Sequence, residues 1–435
     1  MSATAFGVEG MAASRKPSSF ESWFARETAT GNWGGSRDKL EDQGVTIASN
    51  YTADIGGNPV GGLKKTAKYS GYLNAGIALD FEKIVSIEGL ALTASNCLLS
   101  GRDLSGEIGN FFGVQEIYAP GDYFFVELNL SLSLLDNTII LETGRLLAAD
   151  VFAYSDLYGY YLNAGINSNP GAIWSNIFFP DYNEAAWAWR ATYQPNKEWL
   201  FTTAMYNADT RVEDIDRHGA DFSFAMDNGF LAITQLAYKH NQSRNEQGSP
   251  GSTTFGCYYQ SSKFEDFADP NKHWNGNYGF YLMFDQMIYK DKWPEYRGSS
   301  YHDSNMSYGE WAKEPYEKQT AMPLDRPKGL TFWGAAYLAP LESINIQTYQ
   351  LASGLLYQGL FPKRDYDVTA FCFILGNFSD QLEGQGMEMV LELNHRFQIG
   401  PWFYVTPDIQ YVINPDGRTD IDDALVVGFE LSVNF

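Results

Sequence analysis

Positive charge is scarce in this chain: 30 Lys and Arg stand against 53 Asp and Glu, a net charge of −23 over 435 residues. Such a chain would repel phosphate backbones, which excludes nucleic acid as a partner. Charge of either sign is sparse, at 19% of residues, below what an ordinary soluble surface carries. No stretch approaches the roughly 18 uninterrupted apolar residues of a membrane-spanning helix, so that class is excluded too. Cysteine is limited to Cys97, Cys257 and Cys372, an odd number without metal-ligand spacing. They are read as free thiols, with one intrachain disulfide the most they allow. The five histidines (His218, His240, His273, His302, His395) are scattered, no pair has zinc spacing, and no Gly-x-Ser-x-Gly elbow occurs. No catalytic residue, metal ligand or cofactor site is read from these patterns. The opening MSATAFGVEGMAA has neither a basic start nor an apolar core of export-signal length, so a signal peptide is expected to be missing from this sequence.

Aromatic residues and glycine are plentiful instead, at 16% aromatic and 41 Gly, with no linker-like shift in composition. The last twelve residues set the pattern. Leu425, Val427, Phe429, Leu431, Val433 and Phe435 are apolar, Gly428, Glu430, Ser432 and Asn434 are small or polar, and only Val426 breaks the alternation. A period of two gives a strand one greasy and one wet face. The same texture recurs in Leu73, Ala75, Ile77 and Leu79 against Asn74 and Asp80, and in Phe124, Val126, Leu128 and Leu130 against Glu127 and Asn129. It returns in Phe280, Leu282 and Phe284 against Tyr281 and Asp285, and in Met387, Met389, Leu391 and Leu393 against Glu388 and Glu392. Phe403, Val405, Ile409 and Tyr411 oppose Asp408 and Gln410. Charges at the centres of so many strands favour an all-β, transmembrane antiparallel β-barrel over a soluble sandwich.

Residues 1–44 are expected to form an N-terminal segment with a short helix at the periplasmic side, begun by Ser18 with Glu21 three residues on. Residues 45–435 are expected to form the barrel, with long loops near 147–184 and 290–328. Counting candidate strands gives about 17, one off from the even number such barrels require. Counting forward places 290–328 outside, whereas counting back from Phe435 places it on the periplasmic side. The discrepancy is assigned to the region from about 262 to 360. The 147–184 stretch is long enough to fold inward and constrict a pore.

Several segments together resemble the carbohydrate-selective porins of Gram-negative outer membranes, the OprB type. They are Asn32-Trp33-Gly34-Gly35 with Arg37, Leu40 and Gly44; Gly61-Gly62; Gly144-Arg145 with Asp150 and Phe152; and Tyr278-Gly279-Phe280-Tyr281 with Asp285-Gln286. Gly359 with Arg364 and Asp367 follows, then Pro407-Asp408-Ile409-Gln410-Tyr411-Val412 with Asn414-Pro415, Gly428 and Phe435. The resemblance implies an outer-membrane barrel of about 16 strands that passes neutral sugars by diffusion. Residues 290–328 look longer than the matching family stretch.

A sugar pore needs aromatic faces for pyranose rings and polar side chains for hydroxyls, at one depth on the lumen face. Strand phase points Asp80, Glu127, Arg190, Tyr281, Asp285, Asp367, Glu388, Glu392, Tyr404 and Asp408 inward as candidate pore lining. Each has a structural alternative, an ion pair or hydrogen bond that holds the wall. Trp187 and Trp189 take the lipid-facing phase, as girdle residues. Expected partners are small-molecule sugars and outer-membrane lipid, and self-association into a homo-oligomer stays open. A plugged structural or adhesin barrel, or an outer-membrane glycosidase, remains the alternative reading.

Overall fold

In the computed structural model, residues 23–24, 26–117, 121–181, 183–294 and 326–435 are described. Sixteen antiparallel strands close into one barrel, each paired with its sequence neighbours and β1 with β16. The first eight are β1 (Val45–Val60), β2 (Ala67–Asp80), β3 (Leu90–Gly101), β4 (Tyr123–Leu134), β5 (Ile139–Leu146), β6 (Ala186–Tyr193), β7 (Trp199–Asn207) and β8 (Phe230–His240). The second eight are β9 (Gly251–Glu265), β10 (His273–Lys290), β11 (Gly329–Leu338), β12 (Gln347–Gln358), β13 (Val368–Phe378), β14 (Met387–Gly400), β15 (Phe403–Ile413) and β16 (Ala424–Asn434). Closure leaves no free sheet edge, so every strand can satisfy its backbone within the wall, as a bilayer demands.

With sixteen strands the count is even, and β1 and β16 meet at one barrel end, the terminus end. Because β10 runs toward that end and β11 away from it, the 291–328 connection leaves and re-enters there, as the backward count had it. Most of that connection (295–325) lies outside the described residues, as does Ser18 with its expected cap. Trp23 and Phe24 are helical, and a further helix, α1 (Ser36–Asp42), follows the family-like Trp33-Gly34-Gly35 turn. Arg37 donates to the Phe435 carbonyl at 2.9 Å, which pins α1 beneath the last strand.

Outside, the wall is apolar all round. Ile55, Ile77, Leu98, Leu130, Leu236, Phe255, Leu282, Phe284, Leu351, Phe371, Leu393, Ile409 and Val427 project from it, more than a water-facing surface tolerates and what hydrocarbon requires. Trp189 (56% exposed) and Tyr193 point outward on β6, near Trp199 and Phe201 of β7, in keeping with a girdle.

Inside, among the described residues, two connections fold into the barrel: 102–122, between β3 and β4, and 147–185, between β5 and β6. Their apolar residues, among them Leu104, Ile108, Phe112, Val114, Tyr158, Tyr161, Ile166 and Ile173, join lumen-facing strand residues such as Ile233, Met283, Trp333, Ile374, Val390, Val412 and Val426 in one buried cluster. Val426, which broke the alternation of β16, is 2% exposed within it. A strand that meets lipid on one face and a packed loop on the other is apolar on both.

Candidate functional site: the constricted lumen

Glu388 and Glu392 lie on the lumen face of β14, where the alternation places them. Both hold loops. The Glu388 carboxylate accepts from the amides of Phe111 (2.7 Å), Phe112 (2.8 Å) and Asp416 (2.5 Å). Glu392 accepts from the amides of Leu162 (2.8 Å) and Asn163 (3.1 Å) and from Asn394 Nδ2 (2.7 Å). Each buried charge is thereby compensated by N–H donors that would otherwise be orphaned, so carboxylate and loop stabilise each other. The amides of Gln235, Gln260, Gln350 and Gln410 bond the loop backbones at Val151, Ala153, Gly165, Ala172, Phe178 and Val114 in the same way. Sequence reasoning missed these glutamines, because an inward amide becomes an anchor only when a loop folds onto it. Gly376 makes the seat for Phe112: a Cβ there would lie 2.5 Å from the ring.

The other expected lining residues divide into two groups. On the lumen face, the Arg190 guanidinium meets the Glu142 carboxylate at 2.6 and 2.7 Å, with both side chains buried. Tyr281 is buried and donates to Gln235 Oε1 at 2.9 Å. Asp285 is bonded to Ser252 and pairs with Arg326 at 3.1 Å. Asp408 lies against Glu392 and accepts from Gln410 at 2.8 Å. Tyr404 is half-buried, its ring 4.0 Å from the Arg396 guanidinium, which also lies 4.4 Å from the ring of Tyr160 in the 147–185 loop.

Three expected residues sit elsewhere. Asp80 ends β2 at the terminus end and caps the short helix Phe81–Val85 through the Glu82 amide at 3.0 Å. Asp367 lies in the turn before β13 at that same end, paired with Arg364 at 2.6 Å. Glu127 sits at a β-bulge. Ala94 pairs with Leu128 but Asn96 with Phe125, so β4 carries an extra residue and its phase reverses there. Phe124 and Val126, expected outside, therefore pack inside with Cys97, Leu99 and Ile117. Arg145 is not in the pore either; it donates to the Ala185 carbonyl (2.8 Å) and to that of Gly219, beneath the 208–229 connection.

Two features of the lumen wall come from residues far apart in sequence. On β16, β1 and β2 a neutral ladder faces the lumen. Asn50 Nδ2 donates to Ser432 Oγ (2.8 Å) and Asn434 Oδ1 (2.7 Å), Thr52 donates to Asn50 Oδ1 (2.9 Å), and Asn74 donates to the Tyr72 hydroxyl (3.3 Å). Above it the carboxylates of Asp54 (β1), Glu430 (β16) and Glu116 (102–122 loop) gather, with one ligand-capable oxygen of each within 4.8 Å of the others. Arg396 reaches Glu430 at 3.4 Å and the Gly159 carbonyl at 2.7 Å. Burial and the neighbouring Glu430 push the Glu116 carboxyl well above its usual range.

A closed sixteen-strand barrel narrowed by two inward loops is a porin's architecture, and sequence comparison says which kind. The profile of the carbohydrate-selective porin, OprB family, matches residues 64–435. This chain belongs to that family. It is 24% identical to a protein of Acinetobacter baylyi named as porin QuiX (94% of this chain, 93% of the other) and 21% identical to Porin B of Pseudomonas aeruginosa (93% and 90%). The high-pH structure of Pseudomonas putida OprB superposes with TM-score 0.80 at 20% identity, covering 94% of this chain and 99% of that one. Salmonella typhi OmpF gives 0.54 at 10% identity, covering 91% and 99%, which extends only the fold. The protein is a carbohydrate-selective porin of the outer membrane, a passive channel for sugars.

Proposed function

We propose that neutral sugars cross along the β16–β1–β2 side of the lumen, past the amide and hydroxyl ladder of Asn50, Thr52, Asn74 and Ser432, with Tyr404 and Tyr72 as aromatic surfaces beside it. The observation that carries this reading is the division of labour in the lumen. Several of the wall carboxylates are occupied with loop amides or cationic side chains, while the ladder offers neutral donors and acceptors that suit sugar hydroxyls without holding an ion. Weak, repeated contacts of this kind enrich a solute and still release it, and no energy source is involved. The net charge of −23 sets a field that disfavours anions.

The test is ion current through the reconstituted channel titrated with glucose. Wild type should show a saturable decrease in current. Tyr404→Ala should weaken that decrease several-fold with the open-channel current kept, and Asn50→Leu should do the same. If both variants respond to glucose as wild type does, the path runs elsewhere.

A further inference from the structure

The closing seam of the barrel carries an electrostatic fault. Asp54 of β1 and Glu430 of β16 are direct cross-strand partners in the β1–β16 pairing, both on the lumen face and both at most 1% exposed. Like charges directly opposite on neighbouring strands are destabilising, and this pair lies where the sheet must meet itself. The 102–122 loop adds a third carboxylate, Glu116. Asn167 donates to Glu116 Oε2 at 2.5 Å, which holds that side chain in place. The Ile117 amide approaches Asp54 Oδ2 at 3.4 Å, and Asp54 Oδ1 is buried with no hydrogen-bond partner among the described residues. Arg396 supplies one positive charge, at Glu430. Fully ionised, three carboxylates against one guanidinium carry two net negative charges, the deficit a divalent cation fills.

We infer that Asp54, Glu116 and Glu430 form a calcium site that clasps the 102–122 loop to the barrel seam. The ligand set is all carboxylate oxygen, which suits a hard cation and argues against zinc or copper. Calcium accepts irregular geometry and takes its remaining ligands from water, and a half-buried Glu116 leaves a route for that water from the lumen. The three residues stand 62 and 314 positions apart in the chain, as 54, 116 and 430, so no local motif announces them. The inference rests on the carboxylate cluster and not on the sugar path, although Tyr404 of that path borders Glu430.

The experiment uses full-length protein folded in detergent, stripped with EDTA and titrated with CaCl₂, with bound calcium and the melting temperature followed together. One calcium per chain should bind saturably, raise the melting temperature with concentration, and be released by EDTA. Glu116→Gln, a loop change that leaves the wall intact, should weaken calcium binding at least tenfold and remove most of the thermal shift; Asp54→Asn should do the same if it folds. Absence of saturable binding to wild type overturns the site, as does undiminished binding to Glu116→Gln. A melting temperature indifferent to calcium but rising as the pH is lowered also overturns it, and assigns shared protons to the cluster instead.

Discussion

At Glu388 one carboxylate serves three backbone amides from two separate connections, so its chemistry is that of an anchor. Glu388→Gln keeps the shape and removes the charge, and should cost the docked loop on the order of 2 kcal/mol. The expected readout is faster proteolysis within 102–122 and a larger solute cut-off, with the barrel still folded. Arg190→Met is a harsher change, because it leaves the buried Glu142 carboxylate without its guanidinium, at a cost of about 3–5 kcal/mol. Pairing it with Glu142→Gln should restore much of the loss in heat-unfolding measurements. Asp150, on the 147–185 loop, has its pKa pushed up to about 7 by burial, aided by Asp181 and Glu142 and opposed by Arg190. The folded state thus holds a proton that the unfolded chain releases near pH 4. Stability is greatest below that value and falls as the pH rises toward 7. Asp150→Asn should flatten this part of the melting-temperature profile between pH 5 and 8; an unchanged slope would clear Asp150. Much at this scale was hidden in the sequence. Phase correctly turned Glu388, Glu392 and Tyr281 inward, but an inward carboxylate reads the same whether it meets a sugar or a loop amide.

Among the elements, β16 was the most legible, because one of its faces meets lipid along its whole length. Leu431→Arg on the outward face should cost about 2–4 kcal/mol near the midplane, seen as lost insertion into vesicles. The outward phases of β10 and β14 were read from sequence for the same reason. The phase of β4 failed beyond its bulge, since one extra residue exchanges the two faces and alternation is blind to it. Val426 breaks the alternation because the inward loops give it something to pack on. Loop docking itself is tested at Gly376. Gly376→Leu fills the seat of Phe112 and should release the 102–122 loop while the strands stay paired, giving higher conductance and retained resistance of the folded band to detergent. Unaltered conductance would mean that Phe112 does not hold the loop.

For the whole molecule, closure supplied what local pattern could not. The strand count and the side on which 291–328 emerges are fixed by parity around the ring, and a single miscounted strand reverses every connection after it. The family resemblance, carried by short blocks spread along the chain, gave the architecture and the class of solute, while the candidate lining came from strand phase. A barrel narrowed by two pinned loops, acidic overall and with a neutral polar ladder on β16, β1 and β2, should sort solutes by size and charge. The measurement that tests this most directly is swelling of liposomes containing the refolded protein, in isosmotic neutral monosaccharides, amino acids and organic anions of matched size. Faster swelling in neutral monosaccharides than in the other two is the predicted result, with anions slowest. Equal rates for all solutes of one size would contradict a sugar-selective lumen and leave a general diffusion pore.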